Sequence, residues 1–209
     1  MTAFAIVGSA RRDPAHLKAA LEGADTVMAC NLACEDVKAN MVVVVEEDAA
    51  LQYSRQILRA VDDGAIIYAT ERARGAMVNT LWRHRTGRRI PIASIAVRDG
   101  SRLTYLKMTP VIGPSGAVAV QVALDMDATE IRMIGLTGYT DEDIQAGGPL
   151  AGAIPAASRM RNANRRQGQI LDFCIREHPR VQFTMYGQPV YDLPTASNLQ
   201  VETAVMVNQ

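Results

Sequence analysis

A chain of 209 residues with 48% apolar side chains is long enough to close one sizeable hydrophobic core, which excludes an extended or disordered protein. Its 22 lysines and arginines balance its 22 aspartates and glutamates, so bulk charge does not hold it to nucleic acid or to a membrane surface. No apolar run reaches the roughly 18 to 20 residues that span a bilayer, and no signal-peptide pattern opens the chain, so a soluble protein is expected.

Short apolar runs alternate with helical stretches from the start. Residues 4–7 read as a strand, 14–21 as a helix, 26–30 and 41–45 as strands, and 49–61 as a helix. The run MVVVV at 41–45 has no polar alternation, which suits a strand covered on both faces of a parallel sheet. Residues 65–69 form another strand, followed by arginine-rich helix to about Trp82. The cysteines Cys30, Cys34 and Cys174 are odd in number and contain no CxxC pair, which fits buried free thiols in a reducing compartment, the cytoplasm.

The rhythm changes at residues 83–112. Turn signals at Thr86-Gly87 and Asp99-Gly100 separate β-branched runs, which reads as an inserted basic β-rich arm, either a hairpin or an edge strand. Between Glu71 and Lys107 nine cations face only two acids, either as a solvated surface or as a patch that steers an anionic ligand. Beyond the arm, Gly113-Pro114-Ser115-Gly116 opens a small-residue helix to about Asp125. Ser115 either caps that helix or joins Gly116 in presenting its first-turn amides to a phosphate. A strand at 130–135, a Gly/Pro/Ala-rich loop at 137–160 with the length of an active-site lid, a helix at 161–177 and a strand at 181–186 follow. The last twenty or so residues have no clear reading and are free to pack on a second copy of the chain.

The repeated βαβ pattern predicts one α/β domain, residues 1–209, with a mostly parallel sheet flanked by helices and its ligand at the carboxyl edge. The segments brought there are 8–12, 31, 46–48, 70–72, 113–116 and 137–143. Neither GxGxxG nor a GK[ST] phosphate loop is present. Asp125-Met126-Asp127 resembles a metal-binding DxD but falls at the opposite edge of the sheet. Asp141-Glu142-Asp143 lies on the correct edge and reads as a solvated acid cluster; no metal is expected, and His16, His84 and His178 are scattered.

The segments PSG, AVAVQVALDMDA, TEIRMIG and LTGY, taken without gaps, resemble the central signature of the bacterial sialyltransferases of glycosyltransferase family 42 and related phage and bacterial proteins. AIVGSA and MACN resemble that family's first loop and second strand. The resemblance implies a Rossmann-like, sialyltransferase-type variant of the GT-A fold. It implies a CMP-linked nucleotide sugar as donor and metal-independent inverting transfer to an acceptor hydroxyl. Gly8, Ser9, Asn31, Ser115, Gly116, Thr137 and Gly138 would line the nucleotide, and Tyr139 would hydrogen-bond the leaving phosphate. The chain departs from the family at Ser9, at Thr137 and at Glu46 or Glu47, where the family has asparagine, aspartate and asparagine. No histidine stands near Arg161, Asn162 and Asn164, where the family's base belongs, so Asn162 and Asp141 are carried as the catalytic candidates beside Tyr139. A nucleotide-dependent pyrophosphokinase and a non-catalytic nucleotide-binding or assembly protein are the alternatives.

Overall fold

The computed structural model describes residues 2–10, 12–84, 92–95, 97–98, 102–103, 113–142 and 157–203. Most of the basic arm at 83–112, with its Thr86-Gly87 and Asp99-Gly100 turns, lies outside those residues, as do Asp143 and the central part of the 137–160 loop.

The chain begins β1 (Ala3–Val7), α1 (Pro14–Leu21), β2 (Thr26–Cys30), a 3-10 turn (Asn31–Glu35) and β3 (Met41–Val44). It continues α2 (Glu47–Gln52), α3 (Ser54–Asp62), β4 (Ile66–Thr70), α4 (Glu71–His84), β5 (Ile92–Ile95) and the short strands β6 (Val97–Arg98) and β7 (Arg102–Leu103). It ends α5 (Ser115–Asp125), β8 (Glu130–Ile134), α6 (Ala157–Glu177), β9 (Gln182–Tyr186) and β10 (Leu199–Glu202). The main sheet has eight strands in the order β10-β9-β8-β1-β2-β3-β4-β5, and every pairing in it is parallel. This is the α/β architecture expected from the sequence.

Sequence explains the local choices. Asp13 caps α1 by accepting from Ala15 N at 2.9 Å and His16 N at 3.1 Å, and Pro14 supplies the preset backbone of the first turn. The valines of β3 split by parity. Val43 and Val45 join the core with α5 and α6, while Val42 and Val44 join the core on the other face. α5 is buried along its length from Ser115 to Leu124, which explains its run of alanines and valines: small side chains let a fully enclosed helix lie close to the sheet.

Several boundaries differ from expectation. The helix expected at 49–61 is broken at Tyr53 into α2 and α3. Within the arm, β5 adds to the sheet beside β4, and β6 and β7 pair antiparallel through Val97↔Leu103 and Arg98↔Arg102. The unassigned tail forms β10, tied down by the buried Asn198, whose amide reaches the carbonyls of Ile175, His178 and Val181 at 3.0–3.1 Å.

The strand order reverses between β1 and β8. Strands β2 to β5 run out on one side of β1, and β8 to β10 on the other. The helices on the two flanks diverge there, leaving a crevice at the carboxyl ends of the two central strands, the usual ligand position in such sheets.

Candidate functional site

That crevice is narrow because two glycines meet across it. Gly8 N donates to Ile134 O at 2.7 Å, and Ala10 N donates to Gly135 O at 3.2 Å. A Cβ on Gly8 would stand 2.2 Å from Gly135 O, and one on Gly135 would stand 2.5 Å from Gly8 O. Gly135 also has φ +68°, so glycine is required there for backbone conformation as well as space. Arg12 fixes the first loop from outside: its guanidinium donates to Gly8 O at 2.7 Å and pairs with Asp36.

Above the crevice is a recess of about 300 Å³. Its walls come from the β1 loop (Gly8, Ser9), the end of β2 (Cys30, Asn31), Glu46 after β3, the start of α5 (Ser115, Gly116) and the β8 turn (Gly138, Tyr139). Asn31 has φ 51°, in the left-handed region that asparagine tolerates better than most side chains. Ser115 lies inside the first turn rather than at the N-cap, which is Pro114, and its hydroxyl makes no cap. It donates instead to Glu46 Oε2 at 2.8 Å, with Asn31 Oδ1 3.4 Å away.

Glu46 is exposed as a residue, yet it lines the recess and its carboxyl end lies against Ser115 and Asn31, partly withdrawn from water. Burial therefore raises its pKa above the ordinary 4.5, against hydrogen bonds from Ser115, its own backbone and Asn31 that pull it down. The neighbouring Cys30 thiol is pushed far up, first by burial and then by the charge of Glu46, so it stays protonated and is no nucleophile. Cys34 and Cys174 are likewise buried and free, with burial pushing them to about 11 and about 12. Among the described residues of the recess walls there is no lysine, arginine or histidine.

The β8 turn is held from α6. Asn164 accepts from Tyr139 N and donates to Tyr139 O, both at 2.8 Å, and a Cβ on Gly138 would lie 2.8 Å from Asn164 Oδ1. One turn further along α6, the buried Gln167 donates to Leu136 O and reaches Tyr191 Oη at 3.0 Å, while Tyr191 Oη also donates to Leu136 O. Tyr139 and Asn164 also border a second, larger cavity of about 920 Å³, a groove between α6 and residues 190–195. Its charged walls are Asp141, Arg161, Arg165, Asp172, Arg176 and Asp192.

The structure thus gathers Gly8, Ser9, Asn31, Ser115, Gly116, Gly138 and Tyr139 around one recess. Thr137 stands behind the wall, where its carbonyl accepts from Val190 N at 2.9 Å. Asp141 borders the groove instead. Asn162 is exposed, lies on neither cavity, and accepts from Arg165 at 2.9 Å. Asp125-Met126-Asp127 ends α5 at the far edge of the sheet, as expected. No cluster of metal-ligating side chains occurs among the described residues.

Sequence reasoning passed over Asn164 and Gln167. A readable signal existed: Met160, Asn164, Gln167, Leu171 and Cys174 recur at helical spacing, so the two amides interrupt a stripe facing the core.

No protein-family model matches the chain, and no curated protein matches it significantly. In the comparison with solved structures, it is similar to the sialyltransferase CstII from Campylobacter jejuni, solved in complex with the substrate analogue CMP-3FNeuAc. That likeness has a TM-score of 0.49 and 13% identity, over 88% of this chain and 80% of that one. It is also similar to the MAf glycosyltransferase from Magnetospirillum magneticum AMB-1, with a TM-score of 0.48 and 14% identity over 96% of this chain. The match spans 33% of that longer protein.

Proposed function

We propose that this protein is a nucleotide-sugar-dependent glycosyltransferase with its donor in the recess and its acceptor in the groove. One observation carries the reading: loops from both sides of the strand-order reversal converge on a small-residue recess, and a groove with polar walls adjoins it, Tyr139 and Asn164 lining both. A transferase needs two such volumes sharing one boundary, because donor and acceptor must meet there.

In this reading Gly8, Ser9 and Asn31 hold the nucleoside. The first-turn amides at Ser115 and Gly116 take the phosphate, with Thr137 and Gly138 shaping the turn that brings Tyr139 to the leaving group. Asp141, beside Tyr139 on the groove wall, is positioned to take the proton of the acceptor hydroxyl, and Asn162 serves the groove through Arg165. Transfer inverts the anomeric centre and uses no metal. The sequence resemblance implies a CMP-linked donor, which is tested against UDP- and GDP-linked ones.

The test is a thermal-shift panel of CMP, CDP, UDP, GDP, ATP and their sugar conjugates, with and without Mg²⁺. A binding nucleotide at about a hundred times its Kd stabilises by about 2.7 kcal/mol, and Ser115→Asp, which adds a second carboxylate beside Glu46, removes that gain. Slow hydrolysis of the sugar nucleotide without acceptor distinguishes a transferase from a non-catalytic binder, the reading favoured by the exposure of Asn162 outside the recess. A strict need for ATP and Mg²⁺ points to a pyrophosphokinase. Indifference of the native protein to the whole panel sinks the proposal.

A further inference from the structure

Among the described residues, Glu46 is the one acidic side chain on the recess wall, and no basic side chain there offsets it. Its carboxyl is already engaged with the Ser115 hydroxyl at 2.8 Å, beside the helix start proposed to hold phosphate. A serine hydroxyl has a single proton to donate, so while it serves Glu46 it offers an incoming anion none. A carboxylate with free lone pairs instead accepts hydrogen bonds from ligand hydroxyls.

We infer that Glu46 sets the class of donor sugar: the site takes nucleotide-linked sugars that are uncharged and hydroxyl-bearing, and rejects those carrying a carboxylate at the anomeric carbon. The inference rests on the glycosyltransferase reading above. Its geometry follows from the chemistry of the two donor types. In an acidic 2-keto sugar the carboxylate sits on the carbon that bears the phosphate oxygen. Phosphate at Ser115 therefore brings that carboxylate within a few bond lengths of Glu46, whichever way the rest of the sugar points. Two carboxylates that close, in a recess that no cation among the described residues borders, repel strongly. A neutral sugar presents hydroxyls at the same place, and they donate to Glu46.

The measurement is calorimetric binding at pH 7.5 of four probes, CMP methyl ester, CMP-N-acetylneuraminic acid, UDP methyl ester and UDP-glucose, the methyl being on the terminal phosphate, to the native protein and to Glu46→Gln. Comparing each sugar conjugate with its own nucleotide methyl ester cancels the nucleoside and the phosphate charge, which in a free nucleotide would be about one unit more negative. In the native protein, N-acetylneuraminic acid should weaken binding relative to CMP methyl ester by about tenfold or more, while glucose should leave binding unchanged or tighten it relative to UDP methyl ester. In Glu46→Gln the penalty for the acidic sugar should shrink by about tenfold. The inference is overturned if the native protein binds CMP-N-acetylneuraminic acid as tightly as CMP methyl ester, a result that needs no variant. It is also overturned if Glu46→Gln leaves the ratio unchanged. Nucleotide binding with unaltered ratios defeats this inference alone, whereas no nucleotide binding at all defeats the glycosyltransferase reading and this inference with it.

Discussion

The recess and the groove share Tyr139 and Asn164 yet are built by opposite means. The recess is shaped by backbone: glycines packed at the contact limit, a fully enclosed helix and a turn clamped by the Asn164 amide. The groove is lined by long charged side chains projecting from α6, among them Arg161, Arg165 and Arg176, all exposed. A wall made of backbone cannot retreat, so it decides what fits. A wall of exposed arginines and aspartates adapts, so it offers charge of both signs while specifying little shape. The ion pair Arg176–Asp172, 2.9 Å apart with both side chains substantially exposed, contributes only about 0.3–0.5 kcal/mol.

Substitutions can break that contrast, and the largest effect is expected at the crossing of β1 and β8. Gly8→Ala puts a methyl 2.2 Å from Gly135 O, where only backbone could yield. It should lose about 1–3 kcal/mol in urea unfolding together with any nucleotide-induced shift in Tm. Next is Asn164→Ala, which removes both bonds to Tyr139 and should lose about 1–2 kcal/mol. Its unfolding curve and its nucleotide shift should fall together, because the turn belongs to both.

Away from the recess the sign reverses. Gly75 lies inside α4 with nothing within 4 Å of its would-be Cβ, so Gly75→Ala should gain about 0.5–1 kcal/mol by chemical denaturation. Smaller again is the stability effect of Glu46→Gln, which depends on pH. Because the folded state raises the Glu46 pKa, it favours the protonated carboxyl. Its contribution is present below the ordinary value of 4.5 and is lost as pH rises through the elevated one. The variant should therefore match the native Tm in acid and exceed it slightly near neutrality; a constant offset would remove burial as the cause. Smallest in stability is Arg165→Ala, within about 0.5 kcal/mol of native. If the groove steers an anionic acceptor, that variant should raise the acceptor KM and flatten its salt dependence while kcat holds.

The amino-acid pattern by itself determined the layered α/β architecture, because strand and helix periodicities and the two-sided apolar strands are local properties. Phe4, Thr26, Met41 and Glu130 all stand at strand positions within a residue or so of expectation. The same local reading gathered the loops at the carboxyl edge, since βαβ connections deliver them there. It did not find β10, whose pairing rests on Asn198 reaching carbonyls of distant segments. It also chose Asn162 on α6, whereas Asn164 makes the contacts with Tyr139; two residues along a helix is a rotation of about 200°, enough to exchange core for solvent. Ser115 read locally as a cap or a phosphate ligand, and Glu46 as a departure from a family pattern. Tertiary structure alone decided that they are hydrogen-bonded to each other, because the pair lies 69 positions apart and only the parallel sheet brings the end of β3 to the start of α5.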